Sequence, residues 1–111
     1  MRDPEQFFRA LSDPTRLRCL LLLVTEERLC VCEFVHALGL SQPRVSRHLA
    51  QLRDLGIVTD MRRGQWVHYS LHPDLPEWAR EVLEAVFRAE ALDDVRQRLA
   101  TMPNRPAISC D

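Results

Sequence analysis

Two cysteines separated by one residue, Cys30 and Cys32, are the side chains of this sequence with the clearest capacity for chemistry. Thiolates prefer soft, thiophilic ions to magnesium or calcium, so the pair predicts a ligand site of that kind. The run SQPRVSRHL follows at residues 41–49 and has the pattern of a DNA-reading helix. The sequence therefore predicts a ligand site mechanically joined to a DNA-binding element.

The spacing of the two cysteines restricts how a helix could present them. Each residue of a regular helix is rotated by roughly 100°, so Cys30 and Cys32 would point to nearly opposite faces. Either the first turn of a helix over residues 30–38 is frayed, or ligand binding unwinds it. Unwinding would move this helix against the next one and lower the affinity for DNA. The alternative is that both are ordinary buried cysteines, because free cysteine packs as a small hydrophobe.

The remaining cysteines and histidines give weaker signals. Cys19 lies in an all-apolar segment and is predicted to be inert packing, whereas Cys110 is either a further ligand on a terminal tail or an incidental exposed thiol. His68 and His72 lie on and just after a predicted strand, where four positions separate them by roughly 13 Å, so they are a poor metal pair. His36 and His68 are predicted to be surface or packing residues. Residues 73–111 contain no histidine, which excludes a zinc site with imidazoles from the last helix.

Hydrophobic periodicity, prolines and glycines divide the chain into five helices and a β-hairpin. The predicted helices cover residues 4–11, 14–24, 30–38, 42–55 and 76 to a point between 90 and 100, and the predicted strands cover 57–61 and 65–71. Asp13 and Pro14 are typical of a helix start, and Gly39 of a helix end. The predicted fold class is mainly α with a β-hairpin, a winged helix-turn-helix. We expect one DNA-binding and dimerisation domain over residues 1–101 and a flexible tail over 102–111.

Charge is distributed unevenly along the chain. Residues 41–63 carry five arginines against two aspartates, whereas residues 74–94 carry seven acids against two arginines. A basic surface of this kind suits a polyanion, and in a helix-turn-helix the second helix enters the major groove beside a hairpin that contacts the backbone or minor groove. The alternative is a merely solvated helix face. The predicted DNA contacts are Ser41, Gln42, Arg44, Ser46, Arg47, His48, Gln51, Arg62 and Arg63.

Length and composition indicate one compact domain of 111 residues. The longest apolar run, residues 19–24, is too short to cross a bilayer, and the first residues have no apolar secretory region. We therefore expect a soluble, cytoplasmic protein without a membrane partner. In that compartment the four cysteines are better interpreted as thiols or metal ligands than as disulfides.

Three runs, LCVCE at 29–33, SQPRVSRHL at 41–49 and GQWVHY at 64–69, resemble the ArsR-type metalloregulatory repressors, in particular the arsenical-resistance operon repressors. The resemblance covers about residues 4–91. It implies a homodimer joined through the first and last helices, double-stranded operator DNA with two-fold symmetry, and no cofactor in the DNA-bound form. It also implies arsenite or antimonite as the inducer, with Cys30 and Cys32 as the inducer-binding pair. The matching positions on the DNA-reading helix are Ser41, Gln42, Ser46 and His48.

One position departs from the family pattern. Arsenical repressors of this type often carry a third cysteine three residues after the second, and this chain has Val35 there. Either Cys110 or Cys19 completes the site, or two thiols suffice, as would suit a methylated arsenical. Related cadmium or lead sensors would use another thiol near the N-terminus, which residues 1–18 do not contain. We therefore rank arsenite or antimonite first, methylated arsenicals second and divalent metals third.

Other classes of protein remain as alternatives to an inducible repressor. A redox sensor could oxidise the two thiols, although a disulfide across one residue would be strained and easily reduced. A thiol oxidoreductase would be expected to carry C-x-x-C near a βαβ pattern, which this sequence lacks, so we do not expect an enzyme. A purely architectural DNA-binding protein would respond to no thiol-reactive ligand.

Overall fold

The computed structural model describes residues 3–90 and 92–103. Helices predominate, and the short strands form one sheet. In chain order the elements are α1 (Pro4–Leu11), α2 (Pro14–Thr25), β1 (Leu29–Cys30), α3 (Val31–Leu38), α4 (Gln42–Asp54), β2 (Val58–Arg63), β3 (Trp66–Leu71), α5 (Glu77–Glu90) and α6 (Asp93–Ala100). None of the described helices is both long enough and apolar enough to cross a membrane.

The predicted helix and hairpin boundaries have local causes. The Asp13 carboxylate accepts a hydrogen bond from the backbone N–H of Arg16 at 3.0 Å, which caps α2, and Pro14 occupies its first turn. Gly39 ends α3 with a φ of 67°, and Gly64 turns the hairpin with a φ of 62°. These positive φ angles favour glycine because it has no Cβ. The predicted helix start at Asp13 and the predicted helix end at Gly39 are thus confirmed.

The core is built around α2 and the inner face of α4. The leucines of α2 from 20 to 23 are buried, as the all-apolar run predicts. Val45, Leu49 and Leu52 of α4 are fully buried in the same cluster, which also contains Phe34 of α3. The helical spacing of these apolar residues fixes which side of α4 remains outside. The turn between α3 and α4 thereby orients α4 as the second helix of a helix-turn-helix.

The hairpin belongs to a three-stranded antiparallel sheet in the order β1-β3-β2. Strand β1 is only two residues long and pairs Leu29 with Tyr69 and Cys30 with His68. The sequence predicted β2 and β3 but not β1, because two residues contain no periodic signal and their partners lie far along the chain. This pairing makes Cys30 part of the sheet. The prediction that the third helix begins at residue 30 is therefore wrong, and α3 begins at Val31.

The last predicted helix is divided into two. Helix α5 ends at Glu90, within the predicted interval, but the separate helix α6 was not predicted. Leu92 has left-handed backbone angles, φ 46° and ψ 43°, which redirect the chain so that α6 packs on α3. Leu99 of α6 is 2% exposed, and Arg98 Nη1 donates a hydrogen bond to the Ala37 carbonyl at 3.1 Å. These contacts attach the end of the described chain to α3.

Candidate functional site

The thiols of Cys30 and Cys32 lie together at the junction of β1 and α3. Their Sγ atoms are 3.0 Å apart. Cys30 has extended backbone angles, φ −84° and ψ 163°, and immediately precedes the helix, whereas Cys32 lies within its first turn. Because Cys30 is not helical, the opposition of about 200° expected on a regular helix does not arise. No unwinding of α3 is needed to bring the two sulfur atoms together.

Glu33 fixes the backbone that places the first thiol. Its carboxylate Oε1 accepts a hydrogen bond from the backbone N–H of Cys30 at 2.9 Å, and the residue is only 5% exposed. A carboxylate in the first turn also interacts favourably with the positive end of the helix dipole. Glu33 therefore acts as a cap that holds Cys30 in its extended conformation beside Cys32.

The pair has nearly the spacing that a shared thiophilic atom requires. With two bonds of roughly 2.3 Å, the length of a zinc–thiolate bond, two sulfur ligands lie roughly 3.4–3.8 Å apart. The observed 3.0 Å would therefore need to widen by less than about 1 Å. Cys30 is 2% exposed and Cys32 is partly exposed, so a ligand would arrive from the Cys32 side. Within residues 3–90 and 92–103, no three His, Cys, Asp or Glu side chains converge to hold a metal ion.

Of the other two cysteines, one is buried in the core and one lies outside the described residues. Cys19 is fully buried among the apolar side chains of α2, and this burial, with a smaller contribution from Asp13, raises the pKa of its thiol to about 12. Its thiol is therefore protonated and inaccessible, as expected of a packing residue. Cys110, predicted as a third ligand, lies outside the described residues.

The outward side of α4 presents polar and basic side chains to solvent. Ser41, Gln42, Arg44 and Arg47 are exposed, and Ser46 is half-buried and accepts a hydrogen bond from Gln42 Nε2 at 2.9 Å. The Ser41 hydroxyl makes no capping hydrogen bond in the described contacts, so it does not occupy the backbone N–H groups of the first turn. Helix N-termini of this kind bind phosphate groups. On the hairpin, Arg62 and Arg63 of β2 are also exposed.

Two residues predicted to contact DNA lie at the inner edge of this surface. The His48 side chain is only 16% exposed, and its Nδ1 lies 3.9 Å from the Asp13 carboxylate. The start of α2 therefore covers most of His48, and its contact with DNA stays a prediction. Gln51 is exposed, but its side-chain oxygen accepts a hydrogen bond from Arg16 Nη1 at 3.2 Å. Both contacts join α4 to α2, and neither was visible in the helical spacing.

Asp13 is the electrostatic centre of that junction. Partial burial acts to raise the pKa of its carboxyl group, but the hydrogen bond from the Arg16 backbone and the charges of His48 and Arg16 outweigh that effect. The net result is a pKa for Asp13 below its ordinary value. The carboxylate is therefore ionised at neutral pH, where it caps α2 and faces the imidazole of α4.

A helix-turn-helix followed by a basic antiparallel hairpin defines a winged helix-turn-helix, the class of DNA-binding regulator predicted above. Comparison with known proteins identifies the family. Residues 13–60 match the family described as "Bacterial regulatory protein, arsR family". The chain is also 52% identical over 105 residues to the arsenic resistance transcriptional regulator ArsR1 of Pseudomonas putida, covering 93% of this chain and 82% of that one. This protein belongs to the arsR family; it is a transcriptional repressor, not an enzyme.

Other relatives agree with that assignment. The arsenical resistance operon repressor of Escherichia coli is 47% identical over 87 residues, which is 78% of this chain and 74% of that one. Among solved structures, HlyU from Vibrio cholerae superposes with a TM-score of 0.69 at 28% identity, covering 82% of this chain and 99% of that one. The AntR antimony-specific transcriptional repressor superposes with a TM-score of 0.65 at 28% identity, covering 82% and 78%.

Proposed function

We propose that this protein is a metalloid-responsive repressor that leaves its operator when trivalent arsenic or antimony binds the thiolates of Cys30 and Cys32. The observation that carries the proposal is the 3.0 Å separation of the two sulfur atoms beside the helix-turn-helix. The names of the similar proteins, arsenic resistance regulators and an antimony-specific repressor, support the choice of ligand. Each thiol would displace one hydroxide from the metalloid, and each displaced hydroxide would leave as water.

We propose Cys110 as the third ligand for inorganic arsenite. The distance that Cys110 must cover can be estimated from helix geometry. Helix α6 packs on α3, and packed helices lie about 8–10 Å apart. Helix α3 has eight residues and is therefore about 12 Å long. The seven residues after Pro103 can span roughly 24 Å, so Cys110 can reach the pair from the end of the described chain. With only two thiols, the site would instead suit a methylated arsenical, which already carries a carbon substituent on arsenic.

Two routes connect the thiol pair to the DNA-binding surface. Helix α3 packs against α4, with Phe34 in the same core cluster as Val45 and Leu49. Cys30 is also paired with His68 of β3, and β3 is the partner of β2, which carries the exposed arginines of the hairpin. An increase in the distance between the two sulfur atoms would shift α3 against α4 and would also shift β1 against the hairpin. A differential binding energy of about 1–3 kcal/mol would lower operator affinity by about 5- to 150-fold.

The predicted DNA contacts remain our proposal for how the operator is bound. The major groove would receive the start of α4, with Ser41 just before the helix and Gln42, Arg44, Ser46 and Arg47 on it. The DNA backbone would be contacted by Arg62 and Arg63 of the hairpin. His48 and Gln51 would act from the inner edge, by holding α4 against α2. A homodimer would place its two α4 helices at half-sites about 34–36 Å apart on a symmetric operator.

Apolar residues left exposed on α1 and α5 support the homodimer. Phe8 of α1 is 52% exposed. On α5, Ala85 and Ala89 are exposed, and Val82 and Val86 are partly buried. We propose that these faces meet across a two-fold axis, within a single DNA-binding and dimerisation domain over residues 1–101. Because its target would be operator DNA, we also propose that the protein acts in the cytoplasm.

The test is arsenite titration of a complex with an operator duplex selected by the wild-type protein from random DNA. We expect wild type to release the duplex and Cys30→Ser/Cys32→Ser to retain it at every arsenite concentration. Cys19→Ala is the matched control and should release DNA like wild type, because its thiol is buried and protonated. Equal release by the double variant and wild type would refute the proposal. Cys110→Ser separates the ligand models, because it should weaken the arsenite response and spare that to methylarsenite.

The short sulfur–sulfur distance also keeps a redox sensor as a second candidate. Oxidation by peroxide would join the two thiols in a disulfide, and peroxide would be reduced to water. A bond across one residue would be strained and readily reduced. Operator release by peroxide with no response to arsenite would favour this candidate over metalloid binding.

A further inference from the structure

His68 lies directly across the sheet from Cys30. The two residues are register partners on the antiparallel strands β1 and β3. Opposite residues of an antiparallel pair carry their side chains on the same face, with Cβ atoms about 4.5–5.5 Å apart. The imidazole is therefore a nitrogen donor on the same face of the sheet as the Cys30 thiol and directly opposite it. Spacing along the sequence relates His68 to His72 but not to Cys30, so it does not predict that His68 and Cys30 are neighbours.

The imidazole of His68 also has an unexplained atom. Its Nδ1 is buried and has no hydrogen-bond partner within the described chain. The large majority of buried polar side-chain atoms are paired, so an unpaired nitrogen at this place calls for a ligand or another cause. The ring packs against Trp66, with 5.8 Å between the ring centroids. By contrast, His72 Nδ1 accepts a hydrogen bond from the backbone N–H of Asp74 at 3.0 Å.

We propose that Cys30, Cys32 and His68 form a site for a borderline divalent cation, with zinc as the first candidate. Two thiolates and one imidazole are a donor set that zinc takes in proteins, with the fourth position open to water. Imidazole suits zinc far better than it suits a thiophilic metalloid, so this site would extend the ligand range of the pair. The inference rests on the thiol pair of the proposed function, but not on arsenite or on DNA release.

Formation of the site needs a movement of side chains only. Zinc–ligand distances are about 2.0–2.3 Å, and no three donors of the described chain yet converge to that extent. The two sulfur atoms need to separate by less than about 1 Å, and the imidazole needs to rotate about its side-chain torsions towards Cys30. The backbone need not move, because the cross-strand Cβ spacing is within the combined reach of a cysteine and a histidine around one ion.

Zinc affinity measured against a chromophoric chelator tests the proposal. We expect His68→Gln to bind zinc at least tenfold more weakly than wild type, and His36→Gln to bind it as wild type does. His36 is the matched control because it is exposed on α3. His68→Gln should bind arsenite like wild type, whereas Cys30→Ser/Cys32→Ser should lose both ligands. If wild type binds zinc but not arsenite, the proposed function is refuted and the zinc site is not.

Two further measurements keep the proposal open to refutation if the glutamine variant does not fold. The His68 ring-nitrogen resonances of the wild-type protein should shift when zinc is added, and the adjacent Trp66 should change its fluorescence. His68→Cys should bind zinc at least as tightly as wild type, because it supplies a third thiolate. Unchanged His68 resonances at saturating zinc, or equal zinc affinities of wild type and His68→Gln, would overturn the proposal.

Discussion

Replacing Glu33 by alanine should disorder the thiol pair without removing either thiol. Glu33 is 5% exposed, and its carboxylate accepts a hydrogen bond from the Cys30 backbone N–H at 2.9 Å. Alanine has no acceptor, so the N–H would be left unsatisfied near the core. Leaving a buried donor without its partner destabilises a protein by about 1–3 kcal/mol. We therefore expect the free energy of unfolding in urea to fall by about that amount.

The same change should weaken metalloid binding. If the capped turn is the conformation that binds, affinity falls in proportion to the population of that conformation. A loss of about 1.4 kcal/mol in the cap lowers that population by at most about tenfold, so we expect calorimetric titration to give an arsenite affinity reduced by up to about tenfold. Cys30 and Cys32 remain present, so stoichiometry should not change.

Two variants serve as controls for the Glu33 prediction. Glu33→Gln retains an acceptor oxygen and should lose less stability and affinity, because a hydrogen bond to a neutral group is roughly half as strong as one to a charged group. Glu27→Ala removes an exposed negative charge two residues before β1 and should behave as wild type. The reasoning is refuted if Glu33→Ala unfolds at the wild-type urea concentration and binds arsenite with wild-type affinity.

Three further variants test the surroundings of the site. Asp13→Asn should be less stable than wild type at pH 7 in urea denaturation. Because folding lowers the pKa of Asp13, the difference should be complete above the unfolded value of about 4 and should disappear only as pH falls through the lower, folded value. Leu99→Ala should lower the unfolding free energy by about 2–5 kcal/mol, and a loss below about 1 kcal/mol would argue against the docking of α6. Arg62→Ala on the hairpin should weaken binding to all duplexes and reduce the salt slope of log affinity by about 1, whereas Arg88→Ala on α5 should leave both unchanged.

Local signals were sufficient to predict most of the fold. Asp13 with Pro14 marked the start of α2, and Gly39 marked the end of α3, because capping and positive φ angles depend on the residue itself. The apolar spacing of α4 predicted its buried face, since helical period and burial are directly related. Leu92 gave no such signal. Its left-handed conformation is unusual for leucine and arises where α6 turns back to bury Leu99 against the core.

The candidate site depended more on contacts between distant residues. The chemistry of Cys30 and Cys32 was readable from their type, but their proximity was not, because it follows from the pairing of Cys30 with His68 in β1 and β3. The inward position of His48 has the same origin. Its partner, Asp13, lies on another helix, and helical spacing within α4 contains no information about what packs beside it.

The structure also favours one of the two routes from the thiols to DNA. Helix α3 packs against both α4 and α6, and near its C-terminal end the Ala37 carbonyl accepts a hydrogen bond from Arg98. Strand β1 is a two-residue edge strand, and its residues Leu29 and Cys30 pair with β3. Elements with few backbone hydrogen bonds open at the lowest free energy. A ligand that widens the sulfur pair should therefore displace Cys30 and the hairpin more than α4, so hydrogen exchange should increase first in β3.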